Sequence, residues 1–173
     1  PKQFLKLYGK PIIIYTLEVF QQHPAIDHII VACVSGWEDR LEKMCTDYGI
    51  TKLYKIVQGG KDTQESKLNA LYGLADLCQD DDIVLMHDAV RPMITAQLIS
   101  DNIEAVKKYG SAITADPFTE TGVVSTDGVT VESTIERSKL YIAKAPQSFY
   151  YKDVLWAHEQ GKSMPDSITI DTC

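Results

Sequence analysis

The sequence predicts an α/β fold, a doubly wound sheet with a β-hairpin inserted late in the chain. Two observations carry this. Short apolar runs at 29–34, 53–57, 83–86 and 111–115 alternate with stretches of helical period, the pattern of a mostly parallel sheet with right-handed helical crossovers. After residue 117 the alternation stops, and an Asp127-Gly128 turn stands between two β-prone runs.

Composition sets the frame. The chain has 173 residues, 45% of them hydrophobic, enough for one domain over 1–173 with a sizeable core. Its 17 basic and 24 acidic residues give a formal net charge of -7. That balance argues against broad nucleic-acid binding and leaves room for a nucleotide as a small ligand. No apolar run is long enough to cross a bilayer, and no signal-peptide pattern opens the chain. Cys33, Cys45, Cys78 and Cys173 lack CxxC spacing. Zinc and a disulfide framework are therefore not expected, and a reducing, cytoplasmic setting is the simplest reading. Both ends read as cut from a longer protein.

Taken in order, 1–8 is a lead-in and Gly9-Lys10-Pro11 a turn. Residues 12–22 read as a helix, because Ile13, Thr16, Leu17 and Phe20 share one face. The strand 29–34 follows, then a Ser35-Gly36 turn with Ser35 as a candidate helix cap. The helix 37–48 buries Leu41, Met44 and Cys45 and stops at Gly49. The strand 53–57 runs through Gly59-Gly60-Lys61 and Ser66 into a helix over 67–77. Two glycines between a strand and a helix let backbone N–H groups approach an anionic ligand, although Gly-Gly is also an ordinary turn.

Residues 80–92 hold the densest chemistry. Ile83 to Met86 is a buried strand, and His87-Asp88-Ala89-Val90-Arg91-Pro92 follows at its carboxyl end. In open α/β sheets ligands bind at that edge. Asp88 and Arg91 read either as a surface ion pair or as a carboxylate for a hydroxyl or metal beside a two-pronged phosphate clamp. His87 points to the other face of the strand, as a buried structural residue or a general base.

The helix 96–109 ends at Gly110, and the strand 111–115 follows. Val123-Val124 and Val129-Thr130-Val131 flank Ser125 to Gly128 as a hairpin, either an arm toward a partner subunit or a lid. Residues 135–145 lead out with Arg137, Lys139 and Lys144, Pro146-Gln147-Ser148-Phe149 breaks that segment, and 151–160 is a helix. Residues 163–173 are polar and lack a closing element. Lys2, Arg91, Arg137 and Lys144 would form an anion site if they converge, a division of labour suited to phosphoryl or nucleotidyl transfer. No Walker pattern or nucleophile elbow is present.

Four segments carry a resemblance. Pro-Lys-Gln-Phe at 1–4 with Gly9-Lys10-Pro11-Ile12, Gly59-Gly60 with Ser66, His87 to Pro92, and Ala145-Pro146-Gln147-Ser148-Phe149 occur in that order. In this the chain resembles the IspD/TarI-type cytidylyltransferases along its whole length. The resemblance implies a Rossmann-like, GT-A-like nucleotidyltransferase sheet and a homodimer joined through an arm over 118–145. It also implies CMP transfer from CTP to ribitol 5-phosphate or 2-C-methyl-D-erythritol 4-phosphate, with Mg2+ and release of pyrophosphate.

Residue by residue, the resemblance makes Lys2 the triphosphate lysine. It makes Gly59, Gly60, Lys61 and Ser66 the cytosine turn, and Asp88 with Ala89 the ribose and hydroxyl pair, with Asp88 also at the metal. Arg91 falls on the substrate side. Arg137 falls on the arm, reaching the neighbouring subunit's acceptor. Ala145 stands where relatives usually have a substrate-binding threonine, Thr63 where they have arginine, and Ile170 where they have threonine. The family's glycine-rich loop and carboxyl-terminal lysine segment do not match any part of the chain. Lost hydroxyls at substrate contacts bear on acceptor choice. Val90 and Gln147-Ser148-Phe149 lean toward the ribitol phosphate branch. The alternatives are another sugar phosphate on the same fold, or a nucleotide-binding protein without turnover.

Overall fold

The computed structural model describes residues 1–161. The expectations for 163–173, Ile170 among them, fall outside these residues. The chain opens with a 3-10 turn, Lys2–Phe4, and a small antiparallel pair, β1 (Lys6–Leu7) with β2 (Lys10–Pro11). Then come α1 (Ile12–Gln22), β3 (Ile29–Cys33), α2 (Glu38–Asp47), β4 (Leu53–Gln58), α3 (Thr63–Gly73) and β5 (Ile83–Met86). The second half holds α4 (Ala96–Tyr109), β6 (Ser111–Pro117), β7 (Val123–Val124), β8 (Ser133–Thr134), β9 (Tyr141–Tyr150) and α5 (Tyr151–Gly161).

β3 pairs with β4 in parallel, and β9 lies antiparallel between β5 and β6. The architecture is α/β, as the alternation implied, but its second half is mixed rather than parallel. Phe4 of the opening turn, Ile14 and Leu17 of α1, Cys33 of β3 and Leu41 of α2 belong to one core cluster. Leu71, Leu74, Phe149 and Val154 form a second, and Phe20, Ile99 and Ile103 a third. Among the described residues, no helix is long and apolar enough to cross a membrane.

β3 and β5 are not hydrogen-bonded to each other among the described residues. Both border one cavity, with Ile13, Leu17 and Phe20 of α1 and Leu71 and Leu74 of α3 also on its wall.

Several boundaries depart from the sequence reading, each for a local reason. α3 starts four residues early, because Asp62 accepts the Glu65 N–H at 2.8 Å and caps the helix there. Trp37, not Ser35, stands at the amino end of α2, without a side-chain cap. The hairpin's return limb is 133–134, not 129–131. The Asp127 carboxylate accepts from the Val129 and Thr130 N–H groups at 2.8 and 2.7 Å. Those donors are committed to a local turn, so the ladder begins only beyond them.

The largest departure is β9. Residues 141–150 form one long strand, and Pro146 does not break it. On one side the pairing with β5 ends at Met86–Gln147. On the other, the register with β6 is irregular between Ile113 and Ala115. Pro146 therefore sits where neither neighbour requires an N–H from it.

Candidate active site

The turn after β5 is braced from three directions. The Arg91 N–H donates to the Asp88 carbonyl at 3.0 Å. Thr16, buried on α1, donates its hydroxyl to the Ala89 carbonyl at 2.9 Å. His87 Nε2 lies 2.9 Å from the Arg91 carbonyl, and its ring packs against Phe20 with centroids 5.5 Å apart. Since a carbonyl only accepts, Nε2 carries the proton. Burial pushes the imidazole below its ordinary value, partly offset by the Arg91 carbonyl and the Asp88 charge. His87 is thus a neutral brace of the turn. Its Nδ1 is buried without a hydrogen-bond partner, and the ring lines the same cavity as Asp88.

On this turn Asp88 and Arg91 form a short ion pair, each side chain about half exposed. The pair is local, three residues apart, and leaves the second carboxylate oxygen and the guanidinium edge to a ligand.

The turn from β4 into α3 reaches the cavity through Thr63 and Ser66. The Gly59 N–H donates to the Cys33 carbonyl at 2.6 Å, docking this turn on the end of β3. The Gly60 N–H donates to Ser66 Oγ at 2.9 Å, and Ser66 donates on to the Asp62 carbonyl at 2.8 Å. The Lys61 N–H donates to Glu65 at 2.9 Å. Ser66 is therefore an internal brace as well as a wall residue. A Cβ on Gly60 would fall 2.3 Å from Glu65 Cβ, so only glycine fits there.

At the carboxyl ends of β3 and β5 the cavity has polar side chains on its wall. Ser66, Asp88, Ala89, Arg91 and Ala145 all line it, joined by Lys144 and Gln147. Lys2, Gly59, Gly60, Lys61 and Arg137 are not on its wall. Lys2 sits on the 3-10 turn at the chain's start, and Arg137 lies on the arm, 3.5 Å from Thr121. Of the four cations expected to converge, Arg91 and Lys144 share the cavity and Lys2 and Arg137 do not. Lys144 also faces Asp116 at 3.7 Å.

The sequence pattern of the IspD family, 2-C-methyl-D-erythritol 4-phosphate cytidylyltransferase, matches residues 1–172. The chain belongs to the IspD family. It is 44% identical, over all of its own length and 73% of the relative's, to a ribitol-5-phosphate cytidylyltransferase of Vibrio parahaemolyticus serotype O3:K6. It is 36% identical to a 2-C-methyl-D-erythritol 4-phosphate cytidylyltransferase of Clostridium botulinum, over 99% of this chain and 73% of the other. The fold matches the crystal structure of 4-diphosphocytidyl-2C-methyl-D-erythritol synthase from Anaerococcus prevotii with a TM-score of 0.84 at 26% identity. That match covers 96% of this chain and 71% of the other.

In this IspD-family chain, three site features escaped the sequence reading. Thr16 read only as part of an apolar helical face, and nothing local marks its partner at Ala89. Gln147 has its Oε1 buried without a hydrogen-bond partner at the cavity wall, and its place after Ala145-Pro146 was the available signal. Glu65, three residues after Asp62, signals the true start of α3.

A metal has one plausible ligand here. Among the described residues there is no cluster of three or more His, Cys, Asp or Glu side chains that would hold an ion alone. Asp88 is a single, half-exposed carboxylate. That suits Mg2+, which takes one or two carboxylates and completes its shell with phosphate oxygens and water.

Proposed function

We infer that this chain transfers CMP from CTP to a polyol phosphate, with ribitol 5-phosphate preferred over 2-C-methyl-D-erythritol 4-phosphate. The observation that carries this is the turn at 87–91. It presents Asp88 and Arg91 on the wall of one cavity that Ser66 and Ala145 also line. The 44% identity to a ribitol-5-phosphate cytidylyltransferase supports the acceptor preference.

In this reading the Gly59-Gly60-Lys61 turn, held by Ser66, receives the cytosine. Asp88 and the Ala89 backbone orient the ribose. Lys2 neutralises charge on the triphosphate and on the α-phosphate as the reaction proceeds. A phosphate oxygen of the acceptor attacks the α-phosphorus, the bond to the bridging β-phosphate oxygen breaks, and pyrophosphate leaves with that electron pair. Catalysis is positioning and charge neutralisation, with no covalent enzyme intermediate. Asp88 would hold Mg2+, whose charge offsets repulsion among the phosphates.

Arg91 and Ala145 bound the acceptor side, and Arg137 completes that side from a second subunit in a homodimer. The arm supports this assembly, because Val123, Val129, Val131 and Tyr141 are all at least half exposed on it. A CTP-dependent reaction and free cysteines at 33, 45 and 78 suit a cytoplasmic enzyme.

Pyrophosphate release with CTP and Mg2+, comparing the two polyol phosphates, tests the function. Faster turnover with ribitol 5-phosphate is expected. CTP binding without turnover on either acceptor would overturn the acceptor assignment, and absence of CTP binding would overturn the nucleotide assignment.

A further inference from the structure

Lys2 rides on the 3-10 turn at the start of the described residues. The 3-10 turn Lys2–Phe4 has two backbone hydrogen bonds, Phe4 N–H to Pro1 carbonyl and Leu5 N–H to Lys2 carbonyl, both 3.2 Å, and no side-chain cap. Its anchor is the Phe4 ring, only 6% exposed. That ring stacks on the Trp37 indole, with centroids 4.5 Å apart and planes within 16°. The Arg40 guanidinium also lies over the indole, 4.7 Å from its centroid.

Trp37 is itself well fixed. Its N–H donates to the Val34 carbonyl at 3.1 Å, and its carbonyl accepts the Leu41 N–H at 2.9 Å, the first turn of α2. It therefore hangs from the carboxyl end of β3. The Gly59 turn is tied to the same strand end through the Cys33 carbonyl. One strand terminus thus sets both the base turn and, through two stacked rings, the lysine turn.

We propose that Trp37 is a positioning residue for Lys2, acting through the Phe4 ring. The inference rests on the proposed role of Lys2 at the triphosphate. Lys2 lies two residues from Phe4, about 4 Å along a 3-10 turn. A shift of the anchor ring therefore moves the short backbone turn that carries the lysine. Small misplacements of a charge-stabilising group act on the transition state more than on ground-state binding.

The test is a double-mutant cycle with Trp37→Ala, Trp37→Phe and Lys2→Ala, read by pyrophosphate release and by amide exchange. Trp37→Ala is expected to lower kcat about tenfold while the KM for CTP moves less than about twofold. Trp37→Phe, which keeps a ring for Phe4 to stack on, restores most of the loss. In the Lys2→Ala background, Trp37→Ala adds little, because the group it positions is gone. Exchange at the Phe4 and Leu5 amides rises in Trp37→Ala and not in Trp37→Phe.

Losses that multiply across the cycle, or a lowered melting temperature with kcat unchanged, would overturn the inference. An active wild type whose rate survives Lys2→Ala would instead overturn the role of Lys2, and the inference with it. If the wild type proves inactive, unchanged exchange at Phe4 and Leu5 in Trp37→Ala still rejects the positioning.

Discussion

Gly60 shows how little freedom single residues have at this site. Its missing Cβ leaves room for Glu65, whose Cβ and Cγ would lie 2.3 and 2.4 Å from any added methyl. Those atoms belong to the first turn of α3 and cannot swing aside like the tip of a long chain. Gly60→Ala is expected to destabilise the fold by about 1–3 kcal/mol and to weaken CTP binding by more than its effect on acceptor binding. Urea denaturation and calorimetric titration with each ligand check this. Cys45 carries a different residue-level consequence. It is 2% exposed, and burial, aided by nearby Cys33 and Glu42, pushes its thiol up to about 11. The unfolded thiol ionises near its ordinary value of 9.0. Above that pH the unfolded chain releases a proton that the folded chain keeps, so stability is full below pH 9 and falls as pH rises toward 11. Cys33 and Cys78 are shifted upward too and add to the same slope. Urea midpoints between pH 7 and 10.5 should show the decline, with a shallower slope in Cys45→Ala.

The elements were legible in proportion to how local their causes are. α4 matched its expected bounds because its apolar period, the Thr95 cap and left-handed Gly110 all lie within the segment. β5 and the turn after it were legible for the same reason, as an apolar run punctuated by Pro92. β9 was not, because a proline normally excludes a central strand. Only the offset of β5 and the irregular register of β6, both non-local, make room for Pro146. What fixes β9 laterally was equally hidden. Ser148, fully buried, donates to Asn102 Oδ1 at 2.9 Å, and Asn102 Nδ2 donates to the Leu98 carbonyl and Thr114 Oγ1 at 3.0 and 3.2 Å. This polar network ties α4, β6 and β9 together one residue from Gln147. Ser148→Ala strands the Asn102 oxygen in the interior, a loss of about 1–3 kcal/mol. An Asn102→Leu/Ser148→Ala double variant should recover part of that loss in denaturant titrations, since the stranded Asn102 oxygen is gone, although the Leu98 carbonyl and Thr114 Oγ1 each lose a donor.

At the scale of the whole molecule, the site's parts are spread unevenly. The cavity gathers Ser66, Asp88, Arg91 and Ala145, while Arg137 stands on an arm that this protomer leaves open. On the same arm, Val129 is 86% and Val131 63% exposed. Apolar side chains at that exposure in so short a stretch are stable in water only at a cost, which burial against a second copy would remove. In the proposed two-fold assembly the arm of each protomer would carry its Arg137 toward the partner's acceptor. Two variants separate assembly from chemistry. Val129→Asp/Val131→Asp should shift the protein to monomer in sedimentation and lower acceptor use, because a buried pair of carboxylates cannot be paid for by the lost apolar contact. Arg137→Ala should leave the dimer intact, raise the KM for the polyol phosphate about tenfold or more, and leave CTP affinity within about twofold. Equal loss of CTP and acceptor binding in Arg137→Ala would sink the cross-subunit role. A dimer that survives both aspartates would move the interface away from the arm.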